Sequence, residues 1–174
     1  MPIHSPERIW WKPIGRQERI WFWTSFVFVI VMFVSMPIWH MLADQNTPHQ
    51  SYRVTPERFA AIVSEFTKRY QVGSENGIPV VRPPEGEVFL LARQYQWTPI
   101  LELEQGKTYH LHVSSADVNH GFSIQPVNMN FQVVPGYDYV LEITPPEAGE
   151  YTILCNEFCG IGHHLMSGKL IVKE

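Results

Sequence analysis

Residues 20–42, IWFWTSFVFVIVMFVSMPIWHML, contain no Asp, Glu, Lys or Arg. A helix of about 20 apolar residues matches the thickness of a bilayer core. Inside that core the backbone must satisfy its own polar groups, and a helix does so. Pro37 stands near the far end of the run, where a membrane helix tolerates a kink. Trp10, Trp11, Trp21, Trp23 and Trp39 lie in or beside it, as in an interfacial aromatic belt. A cleaved secretory leader has a shorter apolar core and ends at small residues. The run here is longer, and PIWHML is a poor cleavage site. We therefore expect one membrane-spanning helix over residues 20–42, with residues 1–19 as a short segment before it. Arg8, Lys12, Arg16 and Arg19 precede the run, whereas Asp44 follows it and the next base is Arg53. The positive-inside rule puts the N-terminal segment in the cytoplasm and the remainder outside.

Beyond the anchor, TPERFAAIVSEFTKRY reads as a short packing helix. Thr55 is its cap, Pro56 sits in the first turn, and Phe59, Ile62, Val63 and Phe66 recur at helical spacing. The Gly- and Pro-rich stretch GSENGIPVVRPPEGE then reads as a linker, so residues 43–87 form a connecting segment. From residue 88 the pattern changes. VFLLARQY, PILELEQ, TYHLHVSS, GFSIQ, FQVVPG, YVLEITPP, YTILC and KLIVKE are short, often alternating, and bounded by turn residues. Such a series predicts a mainly β domain over residues 88–174, a sandwich or small barrel.

The chain has 174 residues, room for one domain and an appendage. Its net charge is −4, which points away from nucleic acid as a partner. There is no Gly-rich phosphate loop and no CxxCH haem attachment. Two cysteines are too few for a disulfide framework.

Both cysteines lie in one loop near the end of the sequence, CNEFCGIGHHLM, which supplies Cys155, Glu157, Cys159, His163, His164 and Met166. Three readings are open on residue chemistry. A Cys155–Cys159 disulfide suits an external compartment but leaves His163 and Met166 unexplained. Zinc takes Cys and His but gains nothing from a thioether. Thiolate, imidazole and weak thioether together are the ligand set of copper electron-transfer sites. A mononuclear copper site needs one cysteine, whereas two thiolates bridging two copper ions would use both. A second imidazole must then come from elsewhere. His120 in SADVNHGFSI is the leading candidate, between two strands and three residues past Asp117. His110 and His112 are its rivals, and they share one face of a strand.

The motif Cys-x-Glu-x-Cys-x-x-x-His-x-x-Met, with the upstream SADVNHGFSI, resembles the binuclear copper A (CuA) domain of cytochrome c oxidase subunit II. The resemblance runs over residues 88–174 and includes Pro135-Gly136 and the closing GKLIVKE. With its single anchor and short length the chain resembles the B-type haem-copper oxidases of bacteria and archaea. The resemblance implies a cupredoxin-like Greek-key fold on one N-terminal transmembrane helix in a prokaryotic plasma membrane. It implies that Cys155 and Cys159 bridge two copper ions, that His120 and His163 each bind one, that Met166 is a weak ligand, and that Glu157 gives its backbone carbonyl. In A-type relatives a Glu at the Glu157 position also reaches magnesium. Asp117 and His164 would support the ligands from behind. Trp97 and Tyr95 fall in the segment where subunit II proteins carry aromatics near the donor-docking face, which implies that they form the electron-entry patch. The implied partners are cytochrome c or another small redox donor, and the haem-bearing subunit I, where oxygen is reduced to water and protons are pumped. The same ligands would serve a copper-containing nitric oxide reductase of the haem-copper scaffold. A membrane-tethered copper carrier would need a more exchangeable site than this closed set.

Overall fold

The computed structural model describes residues 13–42, 48–127 and 129–174. His4, Arg8, Trp10, Trp11, Lys12 and Asp44 lie outside the described residues. The chain divides into two units, Met1–Asp44 and Gln45–Glu174.

In the first unit, helix α1 (Arg16–Leu42) covers the apolar run, with a mean hydropathy of 2.0 in its most apolar window and no buried residue. It is long and apolar enough to cross a membrane. It begins one turn before the uncharged run. Glu18 there accepts a hydrogen bond from the Gly15 N–H at 3.0 Å, which satisfies one of the donors a helix start leaves open.

In the second unit, β1 (Gln50–Arg53) leads into α2 (Pro56–Tyr70). Then come β2 (Gln71–Glu75), β3 (Ile78–Val81), β4 (Gly86–Arg93), β5 (Gln96–Thr98), β6 (Ile100–Glu104) and β7 (Tyr109–Ser115). The series ends with β8 (His120–Gln125), β9 (Met129–Val133), β10 (Tyr137–Ile143), β11 (Gly149–Leu154) and β12 (Ser167–Lys173). They form two sheets, β1-β10-β7-β4-β5 and β2-β3-β6-β12-β11-β8-β9. Pairing is antiparallel except for β4 with β7, β3 with β6 and β6 with β12. The core lies between the sheets and includes Leu90, Leu111 and Leu141 from the first and Leu101, Phe122 and Ile153 from the second.

The expected connecting segment over residues 43–87 is corrected by the structure. β1 pairs with β10, and β2 and β3 form a hairpin whose second strand joins β6, so the compact unit starts at Gln45. The hairpin turns on Asn76 and Gly77, at φ 51° and 82°. Asn-Gly is the favoured pair for such a two-residue turn, because both positions need positive φ. Pro79 precedes the two residues of β3 that pair with β6, so its missing N–H interrupts no bond on that side.

Helix α2 forms as expected. The Thr55 hydroxyl accepts from the Arg58 N–H at 3.3 Å, and Phe59, Val63 and Phe66 are buried while Ile62 is half-buried. These residues explain why β4 does not alternate in polarity. Val88, Leu90 and Ala92 face the core, and Leu91 packs under Phe59 and Val63 on the other side. Phe89 meets the rings of Phe59 and Phe66 at 6.1 and 5.4 Å. Each fully buried side chain of this size contributes about 1.5–3 kcal/mol.

Candidate metal centre

Strands β11 and β12 are antiparallel neighbours, and Leu154 opposite Ser167 is their last pair. The Cys155 N–H continues the ladder to the Met166 carbonyl at 3.2 Å. The loop between them is thus pinned at both feet. Inside it, the His163 N–H donates to Gly160 and the Met166 N–H to His163, so a short 3-10 turn (His163–Leu165) carries His163 and Met166 back toward the cysteines. A third tie comes from β8, where the Gly121 carbonyl accepts from the Asn156 N–H at 3.4 Å. This approach needs glycine. A Cβ on residue 121 would stand 2.0 Å from Asn156 Oδ1 and 2.7 Å from the Glu157 nitrogen.

These ties bring the soft donors together. The sulfurs of Cys155 and Cys159 are 3.7 Å apart, both as free thiols. His120 Nδ1 lies 3.8 Å from the Cys155 sulfur, and His163 Nδ1 lies 3.7 Å from that of Cys159. Met166 Sδ is 3.7 Å from the Cys159 sulfur, and the Cys155 thiol donates to the Glu157 carbonyl at 3.3 Å. The donors of His120, Cys155 and Cys159 all lie within 4.8 Å of one another. Every residue expected to ligate is gathered in one place, Glu157 through its carbonyl, while its side chain is exposed.

His120, Cys155, Cys159 and Met166 are buried and His163 is partly exposed. Burial, followed by a hydrogen bond that holds the Cys159 proton against the Cys155 sulfur, pushes the Cys159 thiol up to about 11. A metal must displace that proton, so binding releases acid. Two thiols, two imidazoles, a thioether and a carbonyl are soft and borderline donors. They fit copper, and the thioether distinguishes them from a zinc set.

Behind His120 stands Asp117, whose Oδ1 is 2.9 Å from Nε2 of the ring. Partial burial pushes the Asp117 carboxyl up, but hydrogen bonds from the Gln94 N–H, the His120 ring and the Val118 N–H outweigh it and hold the group below the usual carboxylate range. The carboxylate fixes the ring so that Nδ1 faces the sulfur. His164 is exposed and has no hydrogen bond to a ligand residue among the described residues.

His110 and His112, the rival imidazoles, are elsewhere. They point out of β7 toward Glu87 of β4 and Asp138 of β10. Trp97 corrects another expectation. It is only 1% exposed, inside β5, with its ring 6.2 Å from that of His120 and 5.4 Å from that of Phe122. Strand alternation turns Trp97 inward while Gln96 and Thr98 stay half-buried, so it forms part of the wall behind the centre and no surface patch. Tyr95 is exposed at its edge and lies over the loop, where a Cβ on Gly160 or Gly162 would come within 2.6 Å of it. Sequence reasoning missed Gly121 and Gln94, whose side-chain amide donates to the Cys159 carbonyl. No local pattern marks either residue.

Comparison with known proteins agrees with this geometry. The family profile described as cytochrome c oxidase subunit II, periplasmic domain, matches residues 90–173. A cytochrome c oxidase subunit 2 of Thermus thermophilus is 38% identical over 93 residues, 53% of this chain and 69% of that protein. The chain belongs to the cytochrome c oxidase subunit II family. A second sequence of that species is matched over 55% of its length, so the chain spans little more than half of that relative. A heme-copper oxidase subunit 2 of Aeropyrum pernix is 45% identical over 64 residues, 36% of this chain and 27% of that protein. Among solved structures, a chain of a heme-copper terminal oxidase dimer has a TM-score of 0.53 at 25% identity, covering 91% of this chain and 100% of that one. A rusticyanin variant has a TM-score of 0.50 at 18% identity, over 71% of this chain and 98% of its own, a likeness of fold alone. The β domain is thus cupredoxin-like, as expected for the family.

Proposed function

We propose that this chain is the electron-entry subunit of a haem-copper oxidase. In this reading it takes single electrons from cytochrome c or a similar small redox donor. It hands them to haem in subunit I, where oxygen is reduced to water with proton pumping. One observation carries the reading: two free thiols stand 3.7 Å apart and each has its own imidazole. Cys155 and Cys159 would hold two copper ions between them, His120 and His163 would each hold one, and Met166 and the Glu157 carbonyl would be the weak donors. A bound copper pair supplies a one-electron carrier whose charge is shared over both ions.

The residues themselves do the rest. The feet of the loop on β11 and β12 keep the donors from moving when charge changes. Asp117 holds the His120 ring in one orientation. The buried wall of Trp97 and Phe122 keeps water from that side. The exposed Glu157 carboxylate is the hard oxygen donor of the loop and would serve a magnesium contact. Arg16 and Arg19 before the apolar stretch favour a cytoplasmic N-terminus, with the β domain on the outer side of a prokaryotic plasma membrane.

The test is an X-band EPR spectrum of the copper-loaded full chain in detergent, with metal counted in parallel. Two coppers per chain and a hyperfine pattern from one electron hole shared by two nuclei are expected. A single copper with a mononuclear pattern would overturn the assignment.

A further inference from the structure

Gln94 touches both halves of the metal centre. Its backbone N–H donates to Asp117 Oδ2 at 2.8 Å, and the other oxygen of that carboxylate holds His120 Nε2 at 2.9 Å. Its side-chain amide donates to the carbonyl oxygen of Cys159. The next residue, Tyr95, lies against Gly160 and Gly162, so the same turn braces the backbone just past Cys159. The His120 arm begins β8 and the Cys159 arm belongs to the loop after β11. Gln94 belongs to neither, since it lies in the turn between β4 and β5 in the opposite sheet. Metal centres require their ligands to be held within about 0.5 Å, and hydrogen bonds from behind do much of that holding.

We propose that Gln94 is a positioning residue of the copper centre, which fixes the spacing between the His120 arm and the Cys159 arm from a third, independent element. The inference rests on the copper reading above. It concerns how evenly the two metal positions are held, and therefore how evenly charge is shared between them. Gln94 is itself exposed, so its substitution leaves the core of the domain intact.

The test compares Gln94→Glu and Gln94→Ala with a neighbouring control, Gln96→Ala, all in the full chain in detergent. Gln94→Glu keeps the length and the backbone N–H but puts an acceptor where a donor faces the Cys159 carbonyl. In the metal-free chain, reaction of the thiols with an aromatic disulfide reagent should quicken about five- to tenfold in both Gln94 variants, the effect of losing one hydrogen bond that holds the loop. In the copper-loaded chain, both variants should still bind two coppers, with a changed hyperfine pattern and a shifted reduction potential. The Gln96 control should match the parent. Parental thiol rates and a parental spectrum in both Gln94 variants would overturn the proposal. If the parent itself lacks a copper pair, the copper reading fails, and the thiol rates alone decide whether Gln94 holds the loop.

Discussion

The Asp117 carboxylate stands 2.9 Å from Nε2 of His120, which leaves Nδ1 of that ring 3.8 Å from the Cys155 sulfur. The proton on the ring is therefore assigned to the side away from the thiols. Asp117→Ala removes the group that sets this arrangement. Copper affinity should fall about 10- to 100-fold, as for other outer-shell partners of ligating histidines. Competition with a chelator measures it. An unchanged affinity would show that β8 alone orients the ring.

Gly121→Ala should damage the loop without touching a ligand. Its Cβ would meet Asn156 Oδ1 and the Glu157 backbone, and backbone is costly to move. Overpacking of this kind costs about 1–3 kcal/mol. The expected result is a lower melting temperature and weaker copper retention together. Parental values of both would mean that the loop yields freely at this point.

Trp97→Ala should act mainly on stability. The indole is buried, its ring meets those of His120 and Phe122, and its Cβ lies where a Cβ on Gly168 would come within 2.7 Å. Truncation of a buried Trp costs about 3–5 kcal/mol. Denaturant unfolding checks the figure. A loss below about 1 kcal/mol would contradict the buried placement.

The His112 cluster should give the domain a pH-dependent stability. Its Nδ1 bonds Asp138 at 2.7 Å and its Nε2 bonds Glu87. Burial favours the neutral ring, but the two carboxylates outweigh it, and the pKa lies above its ordinary value of 6.5. A raised folded-state value stabilises fully below the unfolded value and is lost as pH rises through the folded value. The melting temperature should therefore decline as pH is raised from about 6.5, and His112→Gln should flatten that slope. Glu87 works in the opposite direction. Partial burial raises it, but its bonds to His110 and His112 hold it lower, so its share is lost as pH falls into the carboxylate range. Equal pH profiles for the parent and His112→Gln would sink this account.

Much of the fold was legible because strands announce themselves locally. Tyr109, Leu111 and Val113 alternate with His110 and His112, and the alternation gives both the strand and its inward face. The β2–β3 hairpin is not legible in the sequence, because Gly and Pro flank its Asn76-Gly77 turn and a linker has the same composition. Strand β1 has no sequence signature, because its four residues are all exposed and only pairing with β10 defines it. The resemblance implies a docking-face role for Trp97, and a lone aromatic carries no local sign of which side it faces, so only the fold shows it buried. Gln94 and Gly121 act through contacts with residues far along the chain, so no short window contains their roles.

The sequence by itself determined the chemistry available to this protein. Uncharged residues over 20–42 demand an apolar surrounding, and two cysteines with His163 and Met166 in one loop supply soft donors, whatever the chain does elsewhere. Only the tertiary structure decided which second imidazole joins them. His110, His112 and His120 are alike as donors. Pairing of β11 with both β8 and β12 brings His120 to the loop, while the pleat of β7 turns the other two toward Glu87 and Asp138. Donor type belongs to the side chain, but the meeting of donors depends on strand register over long separations, because the hydrogen bonds that set it join residues far apart in the chain.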